Sequence, residues 1–119
     1  MIGLFKKPKR QLKKLLKDGE YDEAVAFGKS LESEYSDDPD FMFIMGSIFF
    51  IVEDHKKALP YFEKAFQLDN NDVETLTLKT NTHLALGQKD EAIDCCRHIL
   101  KLQPTNSEAQ KILDDLELL

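Results

Sequence analysis

The sequence predicts an all-α fold, a solenoid of three stacked helix pairs closed by one further helix. Three observations carry that expectation. Ala24, Ala58 and Ala92 stand 34 residues apart, twice, inside the matching stretches 19–24, 53–58 and 87–92. A fixed period of that length marks stacked supersecondary units. Apolar residues recur at helical spacing, as Leu12, Leu15 and Leu16 and again as Leu59, Phe62, Ala65 and Phe66. The 119 residues include only 5 Gly and 4 Pro, too few for a turn-rich sandwich or barrel.

Three windows, 5–38, 39–72 and 73–106, use 102 residues, with four before them and thirteen after. In the first, the leucines at 12, 15 and 16 predict one helix and the stretch around Ala24 a second. Asp-Asp-Pro at 37–39 ends the window. The second opens on a run, 41–52, that is apolar all round. Such a helix is either buried on both sides or presents a sticky face. Its partner helix follows Asp54 as N-cap. There Pro60 falls beyond the first turn, removes one backbone bond and predicts a loosened or bent helix start. Asp-Asn-Asn-Asp at 69–72 and Gln-Pro-Thr-Asn at 103–106 punctuate the rest. Small residues at Gly46, Ala24, Ala58 and Ala92 let paired helices approach closely. Ser107 with Gln110 reads as a capping box for a last helix, about 107–117, with Ala109, Ile112, Leu113 and Leu116 on one apolar face.

Composition bounds the function. Hydrophobic residues at 42% and charged residues at 32% suit one folded domain that buries roughly two-thirds of its unfolded surface. The net charge of −6 hides an asymmetry: residues 1–17 carry seven cations and no acid, leaving nine cations against twenty-two acids beyond them. A body that acidic repels phosphate backbones, so no nucleic-acid partner is expected. Ile2, Leu4 and Phe5 with the lysines after them offer at most a short, single membrane contact. No apolar run approaches the roughly 20 residues of a membrane span, and the first residues lack a secretory signal. With two adjacent cysteines that cannot form a disulfide framework, a cytoplasmic location is expected.

Chemistry-bearing residues point away from catalysis. Cys95, Cys96 and His98 crowd one helical stretch without the paired spacing of a structural zinc site. Cys96 reads as a small core hydrophobe, and His83 as a satisfied, partly buried histidine. Acidic pairs such as Asp22/Glu23 and Asp90/Glu91 fall at helix starts, where they suit the helix dipole. No phosphate loop or nucleophile elbow is present. The expectation is no enzyme, no metal and no cofactor.

In the second window Met42, Met45, Gly46, Phe49, Ala58, Phe62 and Ala65 resemble the signature of the tetratricopeptide repeat family. In the third, Leu76, Ala92 and Pro104 match, while Lys79, Thr80, His83 and Cys96 depart from it. The first keeps Ala24 but has Pro8, Leu12 and Gly28 where an aromatic, a glycine and an aromatic belong, so an irregular first helix is expected.

The resemblance implies a right-handed α-solenoid whose concave face is lined by the first helix of each pair. That face would hold Lys6, Lys9, Arg10, Lys13, Leu16 and Lys17, then Phe43, Ile44, Ser47, Phe50 and Ile51, then Thr77, Leu78, Asn81, Leu84 and Ala85. The implied function is non-catalytic binding of a protein or peptide in a groove with an apolar centre and a basic N-terminal end. The alternative is self-assembly, with the solenoid ends and an apolar patch of Phe43, Ile44, Phe50 and Ile51 buried between copies. The family's carboxylate clamp, which grips acidic chaperone tails, finds only Lys9 in place. Lys13, Ile44, Glu74 and Leu78 stand where asparagine, asparagine, lysine and arginine are needed, so that mode is not expected.

Overall fold

The computed structural model describes residues 7–118, and these form seven α-helices with no strand among them. The helices are α1 (Pro8–Lys17), α2 (Tyr21–Leu31), α3 (Pro39–Ile51), α4 (His55–Leu68), α5 (Val73–Ala85), α6 (Lys89–Leu102) and α7 (Ser107–Glu117). The period is visible in the helix starts. Tyr21, His55 and Lys89 lie 34 residues apart, as do Pro39, Val73 and Ser107. The turn within each pair repeats too, with left-handed backbone at Gly19 (φ 77°), Glu53 (φ 62°) and Gly87 (φ 72°). The result is an elongated helical-repeat solenoid, 52 × 24 × 21 Å.

Each pair packs on itself and on the next, while α1 with α3 and α3 with α5 also touch. First helices therefore share one face of the stack. Close approach within the pairs rests on Ala24, Ala58 and Ala92, all fully buried. Helix α3 sits between neighbours on two sides, which is why it is apolar all round: Phe41, Met42, Ile44, Met45, Ile48 and Phe49 are all buried. Phe62 of α4 completes that cluster. The second cluster, around Leu76, Ile99 and Ala109, is much smaller.

Helix α5 buries hydroxyls where α3 has Gly46 and Ile48. Thr80 and Thr82 are buried and return their hydroxyl protons to the carbonyls of Leu76 (2.8 Å) and Leu78 (2.7 Å). Such back-bonding satisfies the oxygen but adds no packing between helices. His83, also buried, pairs its Nδ1 with Oε1 of Gln88 at 2.7 Å.

Three local expectations change. The N-cap of α7 is Asn106, whose side chain accepts from the Ala109 amide at 2.9 Å, and Ser107 is the first helical residue. Gln110 reaches forward to Asp114 (2.8 Å) instead of back to the cap. Helix α4 stays continuous through Pro60, whose ring is exposed, and Asp54 caps its first turn through the Lys57 amide (3.2 Å). Helix α1 is regular, although at 10 residues it is shorter than the 13 of α3 and α5. Pro8 occupies its first turn, where no backbone N–H is needed.

Candidate binding groove

A groove enclosing about 410 Å³ runs across the shared face of α1, α3 and the start of α5. Its apolar floor is Leu16, Pro39, Phe43 and Ile44, with Ser47 on the wall. Phe43 is half-buried and tilts against Phe62 (centroids 6.1 Å apart), so α4 holds it from behind. The Ser47 hydroxyl donates to the Phe43 carbonyl at 2.8 Å.

The structure brings only part of the expected site together. Lys13, Phe43, Ile44 and Ser47 line the groove. Ile44 is 3% exposed, a floor residue of the core and not a free anchor. Phe50 turns toward α4, edge-on to His55 (5.3 Å) and Phe62 (6.4 Å). Ile51 is exposed, but at the far end of α3 beside Val52. Thr77 lines a narrow seam against Cys96 and Ile112 under α7. Leu78 packs on the first core cluster, and Asn81 is half-buried. The apolar patch expected of Phe43, Ile44, Phe50 and Ile51 is therefore broken up, because Ile44 is buried, Phe50 packs on Phe62 and Ile51 stands apart at the end of α3. Lys6, Ile2, Leu4 and Phe5 lie outside the described residues.

The basic end is partly neutralised from within. Lys9 contacts Asp38 at 2.8 Å and Asp40 at 3.5 Å, and Lys13 contacts Asp40 at 3.5 Å. Hydrogen bonding to Asp38, helped by the charges of Asp38 and Asp40, holds the Lys9 ammonium above its usual range against the opposing effect of burial. Burial raises the Asp38 carboxyl, but the Lys9 ammonium and the Phe41 amide outweigh it and hold the group below the usual range. Lys17 is exposed and without an ion pair among the described residues. A second cleft, at the outer end, is framed by Lys7, Lys9, Arg10, Lys13, Tyr35 and Asp40.

Sequence reasoning missed the acids. Asp40, Asp69, Asp72 and Glu74 line the groove against the single cation Lys13. For two of them the signal was the punctuation between windows, since Asp69 ends α4 and Asp72 caps α5, while Asp40 and Glu74 are the second residues of α3 and α5. Asp72 accepts from the Glu74 amide at 3.1 Å and from the Thr75 hydroxyl at 2.9 Å, and Asp38 accepts from the Phe41 amide at 3.1 Å. The N-termini of α3 and α5 would otherwise suit an anion; here their own carboxylates fill that role.

Packing and hydrogen bonding account for the thiols and for His83 and His98, while His55 Nδ1 is buried without a hydrogen-bond partner among the described residues. Cys95 and Cys96 are buried, and burial pushes both thiols up, away from the reactive thiolate. His98 lies edge-on to Phe66 at 5.3 Å. No group of three or more metal-ligating side chains occurs among the described residues.

Comparison with known proteins fits this geometry. A family model for the tetratricopeptide repeat matches residues 50–116, more than half of the 119 residues, and the chain belongs to that family. Mouse (Mus musculus) sperm-associated antigen 1 is 35% identical over 60 residues, which make up 50% of this chain and 7% of that protein. The chain thus corresponds to a small part of that relative. The first repeat domain of Spaghetti (RPAP3) bound to an HSP90 peptide superposes with a TM-score of 0.84 at 22% identity, covering 93% of this chain and 88% of that one. The Yersinia enterocolitica type III secretion chaperone SycD, in complex with a peptide of the translocator YopD, gives 0.85 at 14% identity, covering 98% and 94%. MamA gives 0.86 at 15%, covering 93% and 65%. At these identities the likeness is one of fold.

Proposed function

We propose that the chain is a non-catalytic protein-interaction module that receives a short segment of a partner protein in the groove along α1, α3 and α5, in the cytoplasm. The observation that carries this reading is the groove itself: an open apolar floor of Leu16 and Phe43, with Phe62 packed behind Phe43, lined by the first helix of successive repeats. Solved relatives of the same fold hold peptides, an HSP90 peptide in one and a translocator peptide in another. Recognition of an extended or helical segment by a preformed groove needs only such a floor and a polar rim. The carboxylate-clamp mode is not part of the proposal. A terminal acidic peptide would meet Glu74 and the apolar Ile44 and Leu78 where it needs cations, leaving its charges unpaired.

The test blocks the groove without altering its charge. Peptides enriched from a random display library on the immobilised protein are measured against wild type and Ser47→Trp. Loss of binding by about tenfold or more, with unchanged thermal stability, supports the reading. Equal binding to both proteins removes the groove as the site.

A further inference from the structure

We infer that the groove selects a partner segment that is cationic where it crosses the start of α5, with apolar side chains seated on Leu16 and Phe43. This rests on the groove being the binding site and adds the chemistry of what enters it. The reason is charge complementarity. Four carboxylates, from Asp40, Asp69, Asp72 and Glu74, face a single ammonium in a groove of about 410 Å³. Asp40 is the one that lysines answer, since Lys9 and Lys13 both contact it. Glu74 has no ion-pair partner among the described residues, and Asp69 accepts only the Asn71 amide at 3.2 Å. The uncompensated charge therefore gathers at one end of the groove, opposite the cleft framed by Lys7 and Arg10. A walled groove of one sign raises the local concentration of the opposite sign and penalises its own. The apolar floor gives affinity to any amphipathic segment; the rim decides which charge that segment carries.

Three fluorescein-labelled synthetic 12-residue peptides decide it. They share one leucine and phenylalanine face and carry four lysines, four glutamines or four glutamates on the other. Anisotropy titrations at about 50 and 300 mM salt should rank lysine above glutamine above glutamate, with lysine ahead of glutamate by at least about tenfold at low salt. That gap should narrow at high salt as screening grows. The double variant Asp69→Asn/Glu74→Gln keeps shape and should shrink the gap to about threefold or less. Equal or tighter binding of the glutamate peptide to wild type overturns the inference, as does an unchanged gap in the double variant or no binding of the lysine peptide at millimolar concentration. Ser47→Trp separates the two levels. If it binds the lysine peptide as wild type does, the groove is not the site and the proposed function falls with the inference.

Discussion

A methyl group placed on Gly46 would lie 2.6 Å from Cε1 of Phe62, inside the fully buried contact between α3 and α4. The same two slots are filled differently in the other pairs. In the first, Leu12 stands in the glycine slot and Gly28 in the aromatic one, and Leu12 Cδ1 lies 3.6 Å from where a Gly28 Cβ would be. In the third they are Thr80 and Cys96, both buried. The first two pairs set one large side chain against a glycine and the third sets two of modest size together, so volume is traded across the helix contact while the spacing is kept. Tight interiors demand such compensation.

Gly46→Ala should therefore destabilise the protein. A helical alanine gains about 1 kcal/mol over glycine, but forcing a buried ring aside costs about 1–3 kcal/mol. Urea denaturation should show a net loss of up to about 2 kcal/mol. Gly28→Ala meets the flexible end of Met45, and its net change should be smaller. Equal losses at both positions would mean that the Phe62 ring is not the obstacle.

The third pair offers the reciprocal experiment. Cys96→Phe alone should overfill the contact with Thr80 and cost about 1–3 kcal/mol. Adding Thr80→Gly rebuilds the second pair's arrangement and should recover most of that loss. A double-mutant cycle reads the coupling, expected to exceed about 1 kcal/mol. Strict additivity would show that the two slots are independent.

Glu53 adopts φ 62° where the equivalent turns use Gly19 and Gly87. A side chain with left-handed backbone costs on the order of 1 kcal/mol. Glu53→Gly should raise stability by up to about 0.5 kcal/mol after the entropy of the unfolded glycine is deducted. A rise in thermal midpoint checks it, and a fall would show that the glutamate side chain contributes more than its backbone costs.

The pairing of Asp38 with Lys9 makes stability acid-sensitive. Because the folded carboxyl sits below its unfolded value near 3.9, its contribution is fully present above that value. It is lost as pH falls through the folded pKa. Wild type should lose more stability than Asp38→Asn between about pH 5 and pH 2. At pH 7 the variant should be weaker by about 1 kcal/mol or less, since Lys9 is 34% exposed and the pair is partly screened. Parallel urea midpoints against pH for the two proteins would contradict this.

Much of the architecture was legible in the sequence, because a 34-residue period states both the helices and their stacking. The all-round apolarity of α3 was legible too, but its meaning was not: only the placement of Phe62 shows that Phe50 is drawn toward α4 and that Ile44 belongs to the floor. The acids of the groove went unread for a related reason. Lys9 and Lys13 are adjacent to the groove in register, yet Asp38, at the far end of their own window, and Asp40, at the start of the next, answer them across space. Sequence distance hid that pairing, as it hid the convergence of Asp40 with Asp69, Asp72 and Glu74.

The claim that a partner segment lies on the first helices is tested most directly by amide chemical-shift mapping with the lysine peptide bound. Shifts should concentrate at Leu16, Phe43, Ser47 and Glu74 and leave the outer faces of α4 and α6 unmoved. Shifts centred on α4 and α6, with those four residues unchanged, would place the partner on the other side of the solenoid.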